Sequence, residues 1–182
     1  MTKPPALSEQ ELIQECKKGS LKHQETLYKM FFGYAMGIGL RYLPDRDDAI
    51  ETVNDAFIKV FNSIQSFKNE QNFKPWLRRI VVNTAIDRRR KDLKHAYQVD
   101  LEEAHEIGNT AEAIEHMNAQ EILGLFNQLS ALQRTIFNLY EVDGYNHEEI
   151  GKMLNIPSSS SRVNLSRAKE RLRAACIQVG II

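Results

Sequence analysis

The 182 residues carry 24 basic and 24 acidic side chains, for zero formal net charge, with 42% apolar and 8% aromatic residues. This is enough apolar material to bury a core in one domain or two small ones, and it excludes a disordered or collagen-like chain. No apolar run approaches the roughly 18 residues of a membrane span, and the N-terminal MTKPPALSEQEL lacks the cationic-then-apolar layout of a secretory signal, so the chain is expected in the cytoplasm, without direct membrane insertion. Cys16 and Cys176 stand far apart with no CxxC pair, so they read as structural thiols rather than a disulfide framework or a zinc site.

Charge is uneven along the chain. Residues 76–95 hold 7 bases against 2 acids, residues 96–130 hold 7 acids and no base, and residues 131–182 hold 7 bases against 5 acids. Two cationic stretches therefore flank an anionic one, the arrangement expected of surfaces that meet a polyanion.

Every strong periodicity is helical. Ser8-Glu9-Gln10-Glu11 fits a capping box for a first helix ending at Gly19, and Ser20 can cap a second that carries Leu27, Phe31, Ala35 and Ile38 until Pro44 forbids continuation. From Asp47, the residues Ala49, Ile50, Val53, Ala56, Phe57, Val60, Phe61 and Ile64 form the clearest 3.6-residue stripe in the chain. Lys68 to Asn72 read as a loop. Pro75 then sits in the first turn of a fourth helix with Trp76, Ile80, Val81, Ala85 and Ile86 as its stripe. Residues 96–118 lack such a stripe and read as an acidic linker.

Periodicity resumes through Ile122, Leu125, Phe126, Leu129, Leu132, Ile136, Phe137 and Tyr140, followed by a turn at Asp143-Gly144. A short helix from Asn146 or His147 stops at Asn155-Ile156-Pro157, and a last one runs from about Ser158 to Cys176. This is a helix-turn-helix layout with Asn155 as the residue that tolerates positive φ. On the last helix Ser161, Leu165, Ala168 and Leu172 share an inward face. Ser160, Arg162, Val163, Ser166, Arg167 and Lys169 are left outward, a mixture of cationic forks, hydroxyls and a small apolar group that suits the major groove. The fourth helix interleaves Arg78, Arg79, Arg88, Arg89, Arg90, Lys91 and Lys94 with Trp76 and Asn83, which gives single-stranded bases a π face among phosphate partners. Trp76 shares its spacing with Ile80 and can equally be read as core.

No catalytic chemistry is expected. His147-Glu148-Glu149-Ile150-Gly151 begins like HExxH without the second His, and there is no P-loop, GxGxxG or GxSxG, so neither a metal nor any other cofactor is expected.

The stretches DDAIETVNDAFIKVF, FKPWLRRIVVNTAIDRRRK and LSALQRTIFNLYEVDGYNHEEIGKMLNIPSSSSRVNLSRAKERL resemble, in that order, regions 2.2, 2.3–2.4 and 4 of sigma-70-type factors of the extracytoplasmic-function group. The resemblance implies an all-α chain of two small helical domains joined by the acidic linker: residues 1–95, a sigma region 2-like bundle, and residues 119–182, a sigma region 4-like helix-turn-helix. It implies a sigma factor that binds core RNA polymerase, directs it to promoter DNA and helps open the duplex. Glu51, Asn54 and Asp55 would dock on the clamp helices of the largest polymerase subunit. Trp76, Arg79, Asn83, Asp87 and Arg88 would read and melt the -10 element, with Lys68 to Phe73 around an extruded base, and Ser160, Arg162, Val163, Ser166 and Arg167 would read the -35 element. Control by an anti-sigma factor is a further implication. Independently of the resemblance, the charge of residues 100–121, with Asp100, Glu102, Glu103 and Glu106 and no Lys or Arg, suggests that this stretch shields the basic surfaces of the free protein. Two other functions fit fewer residues. An autonomous helix-turn-helix regulator leaves the arginine-rich fourth helix unused, and an adaptor that binds polymerase or an anti-sigma protein without reading bases leaves Arg162 and Arg167 idle.

Overall fold

The computed structural model describes residues 7–68, 72–102, 124–126 and 128–178, and the described residues are helical with no strand among them. Most of the acidic stretch lies outside them, including Glu103, Glu106 and the remainder of the expected linker to residue 118. The chain divides into two compact units, residues 1–40 with 45–85, and residues 41–44 with 86–182.

In the first unit α1 (Glu9–Lys17) opens on the expected capping box: Ser8 Oγ accepts from the Glu11 amide while the Glu11 carboxylate accepts from the Ser8 amide. That box satisfies two amides a helix start otherwise leaves unpaired, and it holds the Glu11 carboxyl below its ordinary range. Gly19 follows at φ 83, a conformation open to a residue without Cβ, and α2 (Leu21–Tyr42) begins. Asp45 caps α3 (Arg46–Ser63) by accepting from the amides of Asp47 and Asp48. Most of the α3 stripe is buried as its spacing requires: Ala49, Val53, Ala56, Phe57 and Val60 lie in the core, joined by Thr52, whereas Ile50 and Phe61 are half-buried. A 3-10 turn, Ile64–Ser66, leads toward α4 (Phe73–Glu102).

Two features of α4 differ from the expectation. The helix continues to Glu102, past the point where its apolar stripe fades. Its buried face is Phe73, Leu77, Val81, Val82 and Ala85, whereas Trp76 and Ile80 are half-buried at its flank. Three apolar residues in succession, Ile80 to Val82, leave the spacing ambiguous by one position. The core resolves it, because Phe73 packs against Phe31 and Phe67 with ring centroids 4.8 and 5.6 Å away.

In the second unit Ser130 and Gln133 form a capping box for α5 (Ala131–Phe137). The chain then widens into a π-type turn, Asn138–Val142, closed by the Asp143 amide donating to the Asn138 carbonyl at 2.9 Å. Gly144 follows at φ 76, and α6 (His147–Leu154) starts on a third capping box made by Asn146 and Glu149. Asn155 takes φ 55, ψ 50 and turns the chain into α7 (Ser158–Gln178). Ser161, Leu165, Ala168 and Leu172 of α7 are buried, as their spacing predicts. Among the described residues no helix is long and apolar enough to cross a membrane.

Candidate nucleic-acid interface

On α4 the residues Trp76, Arg79, Asn83 and Asp87 follow i, i+3, i+7, i+11 and therefore lie on one face, opposite the buried Leu77, Val81 and Ala85. Arg79, Asn83 and Asp87 are exposed. Arg88 is exposed too, but it stands about 100° round the helix from Asp87, in register with Leu77 and Val81, and so lies off this strip. Arg90, which falls back onto the strip, donates to Asp87 at 3.0 Å. That pair is open to water and contributes little to stability; its consequence is that the acid at this end of the surface is matched by a cation. Trp76 is half core and half surface. Its ring rests on Phe67 at 5.1 Å and Phe73 at 5.7 Å, which orients it while part of it stays accessible. Of the expected base pocket, Lys68 and Asn72 are exposed, Phe73 belongs to the core with 1% exposure, and residues 69–71 lie outside the described residues.

The helix-turn-helix surface is built from the turn outward. Gly151 sits where a Cβ would meet the Ile156 carbonyl oxygen at 2.8 Å, so α6 and the turn approach more closely than any side chain allows. The amides of Asn155 and Ile156 both donate to the Gly151 carbonyl, which tightens the turn. With that geometry α7 buries Ser161 completely and presents Arg162 and Val163, the latter 46% exposed, to solvent. Ser160, Ser166 and Arg167 are half-buried at the borders of this face. Ser159, exposed one turn before Val163, belongs to the same face, as its helical spacing marks, and precedes the outward set expected from Ser160 onward.

Five side chains tie α7, α6 and the π turn together. The His147 ring stacks on Tyr140, 4.5 Å between centroids and 23° between planes, and its Nδ1 lies 2.9 Å from the buried Ser161 hydroxyl. Glu141 pairs with Lys169 at 2.7 Å, which takes Lys169 out of the freely outward set. Widening the turn to π geometry places Tyr140 and Glu141 where they reach these partners, a common use of such bulges. Burial first, and then the charges of Arg162 and Lys169, lower the pKa of His147, so the ring is neutral at physiological pH. His147 therefore joins helices where its sequence suggested half a metal motif.

On α3 Glu51, Asn54 and Asp55 are exposed together, opposite Val53, Ala56 and Phe57. The Tyr28 hydroxyl donates to Asn54 Oδ1 at 2.9 Å and fixes that amide by its oxygen. Ile58, 58% exposed, lies three residues beyond Asp55 and adds an apolar element the stripe did not announce.

Comparison with known proteins matches both surfaces to one family. The family model described as Sigma-70 region 2 matches residues 27–94, and that described as Sigma-70, region 4 matches residues 119–172. The chain is 26% identical to the ECF RNA polymerase sigma-E factor of Haemophilus influenzae, over 91% of this chain and 94% of the relative. It is 28% identical to the ECF RNA polymerase sigma-E factor of Escherichia coli K12, over 91% and 93%. In fold it is similar to the sigma factor RpoE of Bartonella quintana, solved in complex with the anti-sigma factor NepR, with a TM-score of 0.51 and 21% identity over 85% of this chain and 96% of that one. With regions 2 and 4 in this order, and relatives matched along nearly their whole length, the chain belongs to the sigma-70 family of RNA polymerase sigma factors, in its extracytoplasmic-function group.

Proposed function

We propose that the protein is a promoter-directing subunit: it joins core RNA polymerase in the cytoplasm, carries it to promoter DNA, and captures bases as the duplex opens. The single observation that carries this reading is the presence, in one chain with matches to both regions, of a π-faced cationic strip on α4 and an outward recognition face on α7. These suit different DNA. Trp76, Arg79, Asn83, Asp87 and Arg88 offer stacking, phosphate and amide contacts to single-stranded bases of the -10 element, where base–aromatic stacking contributes about 1–3 kcal/mol per base. Ser160, Arg162, Val163, Ser166 and Arg167 offer forks, hydroxyls and a methyl contact to the major groove of the -35 element. Glu51, Asn54 and Asp55 supply an acidic and amide face for the clamp helices of the largest polymerase subunit. In domain terms residues 1–95 dock and melt, residues 119–182 read the upstream element, and residues 96–118 connect them. The likeness to a sigma factor solved with an anti-sigma factor makes a protein inhibitor of that kind the expected regulator.

The test is reconstitution. Purified protein with core polymerase should give specific run-off transcripts on genomic fragments, and the protein alone should footprint weakly. Failure to initiate on any template, or a strong footprint without polymerase, would sink the proposal.

A further inference from the structure

Helix α1 lies outside the residues matched by either family model, yet it is anchored to the corner from which the chain sets out toward α4. Leu12, Ile13 and Cys16 bury its inner face. From its last turn the Lys17 ammonium donates to the Phe67 carbonyl at 2.6 Å and stands 6.0 Å from the centroid of the Phe67 ring. In return the Gln65 side-chain amide donates to the Lys17 carbonyl. Phe67 is extended, just past the 3-10 turn, so its carbonyl has left the helical ladder and takes an ammonium as its partner. Hydrogen bonds of this charge-assisted kind are stronger than neutral ones, and a part-buried one is screened less than a surface pair. The same ring, itself 3% exposed, packs against Trp76 and Phe73.

We infer that Lys17 is a positioning residue for the base-contacting tryptophan: from α1 it clamps Phe67, and Phe67 sets the tilt of Trp76 before any DNA arrives. This rests on the reading that Trp76 contacts bases. The physical logic is that of a supporting layer, since a stacking platform held in its bound geometry loses less freedom on capture than one that must be ordered then.

Trp76 is the sole tryptophan, so its emission reports the platform directly in the free protein. Lys17→Met keeps the apolar stem and removes the donor; Lys17→Arg keeps charge and donor. With the helical circular dichroism unchanged, Lys17→Met should shift Trp76 emission to longer wavelength and raise its quenching by acrylamide, and Lys17→Arg should restore both. Emission and quenching unchanged in Lys17→Met overturn the inference. In holoenzyme, run-off from a mapped promoter is compared with run-off from the same promoter carrying one substituted -10 base. Lys17→Met should reduce that ratio by about fivefold, a fraction of what loss of a charged hydrogen bond can cost, while Lys17→Arg keeps it. An equal fall on both templates means lost folded protein and overturns the positioning role. Trp76→Ala separates the two layers: if it leaves the ratio unchanged, the reading of Trp76 falls and this inference with it. If it abolishes discrimination while Lys17→Met does not alter it, only the role of Lys17 falls.

Discussion

Gly151 and Ile156 approach so closely that a Cβ on residue 151 would lie 2.8 Å from the Ile156 carbonyl oxygen. The obstacle is backbone, held in place because the Ile156 amide donates to the Gly151 carbonyl at 3.0 Å. Alanine at this helical position would gain about 1 kcal/mol in propensity. Forcing the turn outward costs typically 1–3 kcal/mol and at a rigid contact the upper part of that range. Gly151→Ala should therefore destabilise the helix-turn-helix by about 1–2 kcal/mol, read as an earlier unfolding transition, and weaken -35-dependent run-off. An unchanged or later transition would show that the turn relaxes freely.

Asn155 isolates the backbone contribution at the same turn. Its side chain is exposed and its φ of 55 is the left-handed region, so substitution there changes conformational preference more than contacts. An L-residue with a Cβ resists this region by about 1–2 kcal/mol, which Asn partly escapes and Gly avoids. Asn155→Ala should lower stability by about 1 kcal/mol, whereas in Asn155→Gly the relief of strain is offset by the greater freedom of glycine in the unfolded chain, and stability should change by only a few tenths. Denaturant titration of the pair decides it; equal losses would mean that the Asn side chain, not the dihedral, matters.

How far these features can be read from the chain depends on whether their cause is local. The three capping boxes at Ser8, Ser130 and Asn146 are local chemistry; the one at Ser8 lies where the spacing places it, and the helix expected to start at Asn146 or His147 is capped by Asn146. The α3 stripe is legible because one face is apolar and its neighbours are polar. On α4 the run Ile80-Val81-Val82 blurs the phase, and only packing by Phe31 and Phe67 decides that Phe73, Leu77 and Val81 go inward while Trp76 stays at the rim. The π turn at Asn138–Val142 is hidden for a similar reason, since Leu132 to Tyr140 read as one unbroken helix. The roles of Lys17 and His147 are non-local: their partners Phe67 and Ser161 are 50 and 14 residues away. Gly151 did carry a signal, an isolated glycine inside a helical pattern, which commonly marks a close approach.

His147 makes the second unit sensitive to acid. Burial, Arg162 and Lys169 lower its pKa from 6.5, while Tyr140 covers its ring, Ser161 meets its Nδ1, and the nearby acid Glu141 is engaged by Lys169. Because the unfolded chain binds this proton more tightly than the folded one, the stabilising contribution is complete above the unfolded value of 6.5 and is lost as pH falls through the lower folded value. Melting temperature should thus drop between about pH 7 and pH 5 more steeply in the native protein than in His147→Gln, where that proton has no site. Parallel curves would mean that the imidazole titrates without cost.

The α3 face makes the opposite separation, between binding and stability. Glu51 and Asp55 are exposed on either side of Asn54, whose oxygen is held by Tyr28, so their charges lie outside the apolar core. If this face meets a cationic clamp helix, Glu51→Lys with Asp55→Lys replaces two attractions by two repulsions. Like-charge juxtapositions across an interface cost several kcal/mol, so affinity for core polymerase should fall by about 100-fold or more. The loss should shrink as salt rises, because the charges are screened within about 10 Å at 0.1 M ionic strength. The unfolding transition should move little, surface substitutions away from buried features lying mostly within about 0.5 kcal/mol. Fluorescence anisotropy of labelled protein titrated with core polymerase, at two salt concentrations and beside a thermal melt, checks all three statements. A binding curve unmoved by the double reversal would place the polymerase contact on another face.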